Sequence, residues 1–70
     1  MIFKSIQPGE LQRGDRVVYL GHVETVREVV PAGKEGGCYA MFVGNQAAHF
    51  VDPVMVVDEM KTAALLARYD

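Results

Sequence analysis

The chain has 70 residues, a net charge of −2 and a single cysteine. That length makes one domain, one that buries only ~60% of the surface its unfolded form exposes. Its seven cations are scattered singly, which argues against nonspecific nucleic-acid binding through clustered positive charge. Cys38 has no partner for an internal disulfide, no apolar stretch approaches the ~20 residues that cross a bilayer, and "MIFKSIQPGE" lacks the pattern of a secretion signal. These features predict a cytoplasmic protein with no membrane segment.

Residues 1–10 lie outside the predicted elements. Gly14-Asp15 reads as the turn into a first strand, Arg16 to Leu20, whose residues Val17, Val18, Tyr19 and Leu20 are apolar on both faces, as in an enclosed strand. His22 to Val30 is a second strand by its β-branched content. Its valines at 23, 26, 29 and 30 fit neither alternation nor a helical stripe, so a bulge near Glu24 to Thr25 is expected to put Val23 and Val26 on one face. "PAGKEGG", 31–37, is a hairpin connection, and "CYAMFV", 38–43, a third strand ending at the Gly44-Asn45 turn. "AAHFVD" is a fourth strand, broken by Pro53, which cannot donate to a ladder, and "VMVV", 54–57, is a fifth. Asp58 is then a good N-cap for a helix from Glu59 to Arg68, with Glu59 in its first turn and Arg68 in its last.

Five short strands opened by "GDRVVYL", bent at "GHVETVREVV" and followed by "CYAMFVGN" and "DPV" resemble the SH3-like small-barrel superfamily over Leu11 to Val57. The resemblance implies a five-stranded barrel over 11–57; with the short C-terminal helix read from the residues over 58–69, the expectation is a mainly β fold in one domain. The resemblance leaves function open, because members bind peptides, proteins or nucleic acids through sites grafted on the fold. The plasmid-borne type II dihydrofolate reductases share this architecture, but their Val-Gln-Ile-Tyr strand has no counterpart in "AHFVDPV", so no pore residue carries over.

The chemistry-bearing residues have ordinary explanations. Cys38 opens an apolar strand and reads as a small buried hydrophobe. His22, His49 and Cys38 lack metal-ligand spacing, and both histidines read as strand-surface residues. The carboxylates at Glu10, Asp15, Glu24, Glu28, Asp52, Asp58 and Glu59 suit solvated faces and caps, and Ser5 sits outside any nucleophile elbow. Arg13, Arg16 and Lys34, gathered near Tyr19 or Tyr39, would form a small nucleic-acid site, although those rings lie in runs that suit the core.

The helix carries the strongest signal. At ~100° per residue, Met60, Ala63, Ala64 and Ala67 fall on one arc, and Leu65, Leu66 and Tyr69 on a nearly opposite one. One arc suffices for docking, so the surplus apolar surface is expected to be an interface, and its candidates on the helix are Met60, Leu65, Leu66 and Tyr69. The expectation is a noncatalytic interaction module without cofactors, an accessory or regulatory protein of a bacterium, phage or plasmid. It would bind a protein partner, or itself as a homo-dimer through the helix. The alternatives are a nucleic-acid binder and, behind it, a reductase-like enzyme active only as an oligomer.

Overall fold

In the computed structural model, which describes residues 1–68, six strands precede one helix. They are β1 (Phe3–Ile6), β2 (Arg16–Tyr19), β3 (His22–Pro31), β4 (Cys38–Phe42), β5 (Ala47–Phe50), β6 (Val54–Val57) and α1 (Glu59–Ala67), with 3₁₀ turns at Pro8–Glu10 and Gly33–Glu35. All strand pairs are antiparallel, in the order β1-β6-β2-β3-β4-β5. The mainly β reading with a short C-terminal helix is thus correct, but there are six strands rather than five, and the edge strands β1 and β5 are not paired with each other.

The extra strand comes from the N-terminal decade. "FKSI" has little strand signature of its own; its pairing with β6, Phe3 against Val57 through Ile6 against Val54, makes it one. Leu20 also departs from expectation. It is not enclosed in a strand but stands 80% exposed in a two-residue turn with Gly21, where both residues have positive φ, 50° and 80°. That is the backbone of a tight hairpin turn, which an Asn-Gly pair normally supplies.

The strand β3 belongs to two half-sheets. Its first four residues pair with β2, and Val26 onward pairs with β4. The bulge falls between Val26 and Glu28, at Arg27, two residues beyond its predicted place. Two backbone bonds explain the offset: Val26 N–H donates to the Asp15 carbonyl, and Gly14 N–H to the Val26 carbonyl, at 2.8 and 2.9 Å. So clamped, Val26 is buried and shares the inner side with Val29, whereas Val23 is exposed rather than paired with it.

The core lies where the half-sheets fold over each other. Val17, Val26, Ala40 and Phe42 are fully enclosed, with Leu11, Cys38, Ala48, Val54 and Val56 around them. Tyr19 of β2 reaches across to Phe42 and Phe50, with ring centroids 5.4 and 5.9 Å apart, tilted and edge-on, the arrangements aromatic pairs prefer. Gly37 has φ of 72° and lies against Phe50, allowing the β3–β4 connection to close onto β5.

Candidate functional site

The helix α1 starts directly after β6, with one residue, Asp58, between them. The Asp58 carboxylate accepts from Lys61 N–H at 2.9 Å, the predicted N-cap. Asp58 N–H donates to the Ile2 carbonyl at 2.8 Å, and Ile2 N–H donates to Thr62 Oγ1 at 2.9 Å. The start of the chain thereby holds the first turn of the helix. Arg16 adds a two-pronged pair to Glu59, at 2.7 and 2.9 Å. That pairing holds the Glu59 carboxyl below its ordinary pKa and raises the Arg16 guanidinium.

Beyond these ties the helix is barely covered. Thr62 is its one buried residue, Leu65 is half-buried, and Met60 and Leu66 are 85% and 62% exposed. The molecule measures 47 × 22 × 19 Å, and its radius of gyration of 12.9 Å exceeds the ~11 Å of a compact chain this long. Of the predicted interface residues, Leu65 turns inward beside Ile2, where Ala64, Lys61 and Arg68 complete a shallow notch. Leu66 turns outward, onto the side of Met60, Ala63 and Ala67, so the two predicted arcs are regrouped: one apolar face about 120° wide is left open. Tyr69 lies outside the described residues.

The predicted basic site does not assemble. Arg16 is engaged by Glu59. Lys34 sits in the β3–β4 connection, past Pro31, and five residues of strand separate Pro31 from the Val26 clamp beside Arg13, about 17 Å. Arg13 instead shares an open groove with Arg27, Gln12, Glu28 and Val29, and Arg27 donates to Asn45 Oδ1 at 3.3 Å. Tyr19 packs in the core, and Tyr39 lies outside on β4, stacked on its cross-strand partner His49 with centroids 4.6 Å apart. The Tyr39 hydroxyl donates to Glu35, and His49 Nε2 bonds the Gly36 carbonyl at 2.9 Å.

Cys38 is buried, and desolvation raises its thiol pKa, which keeps it in the unreactive protonated form. Glu10 and Asp15 accept from the N–H groups of Gln7 and Gln12, which are turn-fixing bonds. Among the described residues no three of His, Cys, Asp or Glu gather as metal ligands, and no helix is long and apolar enough to cross a membrane. No protein-family model matches the sequence, and no curated protein or solved structure matches it either.

One surface escaped the sequence reading. Phe3, Val18, Val23 and Met55 share the outer face of β1-β6-β2-β3, and all but Val18 are exposed. The signal was the apolar residue at every position of "VMVV" and "VVYL", which reads as two-sided burial, although on the outer side Val57 is covered and Met55 stands exposed.

Proposed function

We propose that this chain is a noncatalytic protein-interaction domain whose contact element is α1, serving as an accessory or regulatory protein. The observation that carries this reading is the uncovered apolar face of the helix, Met60, Ala63, Leu66 and Ala67. A nine-residue helix is marginal in water without packing on an apolar face. Its own sheet supplies little, so a partner surface is the natural source of the rest. The return of β6 to lie beside β2, so that the last strand meets the first of the β2–β5 meander, supports the likeness to SH3-like small barrels.

A photo-crosslinking residue placed at Leu66, compared with one at the exposed Glu35, tests the proposal in lysate of the natural host. A discrete adduct at position 66, whether to another copy or to a second protein, and none at 35 is the expected result. No adduct from positions 60, 63 or 66 overturns it.

A further inference from the structure

The geometry points to the occupant of the bare sheet face: the helix of a second copy, in a two-fold dimer where each α1 lies across the other chain's β1-β6-β2-β3 surface. This rests on the reading of α1 as a contact element and names its receptor.

Register defines the receptor strip. Ser5 pairs with Met55 and Val18 with Val23, and the pairing of Val17 with Val56 sets Met55 beside Val18. One row therefore runs Ser5, Met55, Val18, Val23 across four strands, with Phe3 alongside. Met55, Phe3 and Val23 are 47%, 41% and 41% exposed. No member of the row is charged, and Arg16, in the next row, is engaged by Glu59.

Four strands at ~4.8 Å spacing give a strip ~14 Å across. A helix of nine residues is ~13 Å long. Its open face, Met60, Ala63, Leu66 and Ala67, has small residues at its centre, which permits close approach to a flat sheet. Glu59, at the edge of that face, is held by Arg16, so neither surface brings an unpaired charge into the contact.

The helix cannot cover its own strip. One residue joins it to β6, the bonds from Asp58 and Thr62 to Ile2 and the Arg16–Glu59 pair hold its first turn by the neighbouring row, where Val57 is buried, and Met55 in the strip stays 47% exposed. A two-fold axis places each helix on the other's strip in a single operation, the self-complementary arrangement of most dimers. Surface area agrees. A compact monomer of this mass exposes ~4,300 Å², and this chain exposes 4972 Å². The excess in two copies, roughly 1,300 Å², lies in the lower part of the range for stable specific interfaces.

Sedimentation equilibrium of the purified protein is expected to show a monomer–dimer equilibrium. Met60→Glu on the helix and Met55→Lys on the strip should each weaken dimerisation at least tenfold, with circular dichroism spectra unchanged because both side chains are exposed. Mixing the two variants should restore a dimer, since one interface then pairs Glu with Lys and the other is wild type. A wild-type chain that stays monomeric at millimolar concentration overturns the inference, and so does a mixture that stays monomeric. If Met60→Glu breaks a dimer that Met55→Lys leaves intact, the helix remains a contact element and the strip is not its receptor. Absence of adducts from all of positions 60, 63 and 66 is the separate failure of the broader proposal.

Discussion

Replacing Gly37 with alanine separates two effects that glycine combines, backbone freedom and absence of bulk. Gly33 and Gly37 lie in the same connection with φ of 64° and 72°, so alanine at either position takes on a left-handed conformation, about 1–2 kcal/mol. At Gly33 a new Cβ meets nothing within 4 Å, and the cost ends there. At Gly37 it falls 1.9 Å from the Phe50 carbonyl oxygen and 2.9 Å from Val51 Cα. An ordinary carbon–oxygen contact is ~3.3 Å, so backbone must move by more than an ångström beside the Cys38–Phe50 pair. Overpacking of about 1–3 kcal/mol and a weakened ladder bond of about 1 kcal/mol then add to the conformational cost. The total, ~3–6 kcal/mol, is comparable with the ~4–10 kcal/mol stability of a domain this size. Urea denaturation should show a modestly lowered midpoint for Gly33→Ala and a largely unfolded Gly37→Ala. Midpoints that agree within error would refute the steric reasoning, because only the shared conformational cost would remain.

The turn at Leu20, the hydroxyl of Thr62 and the Arg16–Glu59 pair each set a further outcome. Leu20→Asn should raise stability by about 1 kcal/mol, read as a higher melting temperature, because asparagine tolerates positive φ and an exposed leucine at that turn has little packing to lose; a lower melting temperature contradicts it. Thr62→Val removes the oxygen that accepts from Ile2 N–H and should destabilise by about 1–3 kcal/mol, whereas Thr62→Ser, which keeps that oxygen, should lose less. The Arg16–Glu59 pair lowers the carboxyl from its ordinary 4.5, so its stabilisation is present above that value and fades as pH falls through the lowered folded one. The stability difference between wild type and Arg16→Met should therefore be constant near neutrality and shrink below about pH 4.5; a difference that grows on acidification removes the pair as its cause.

What was legible in the sequence was local chemistry. Asp58 caps, Glu59 to Ala67 coil, and Gly44-Asn45 turns because a few adjacent residues suffice to specify each. What was illegible depended on partners far along the chain. β1 is a strand because β6 is beside it, and the bulge sits at Arg27 because Gly14 and Asp15 grip Val26. The candidate site divides the same way. The helix and its surplus apolar residues were readable, whereas the inward turn of Leu65, the outward turn of Leu66 and the bare strip under Met55 required the tie between Ile2 and Thr62 and the register of four strands. Arg13, Arg16 and Lys34 do not gather because Glu59 takes Arg16 and the length of β3 sets Lys34 apart from Arg13, two facts of tertiary placement that the sequence does not show.

Because β3 contributes its first half to one ladder and its second half to the other, neither can detach while its neighbour stays whole. Hydrogen exchange of amides on β2 and β4 should therefore proceed by one shared opening, with matched protection on two strands that share no ladder of their own. The domain melts as a unit, with that long central ribbon as its common backbone.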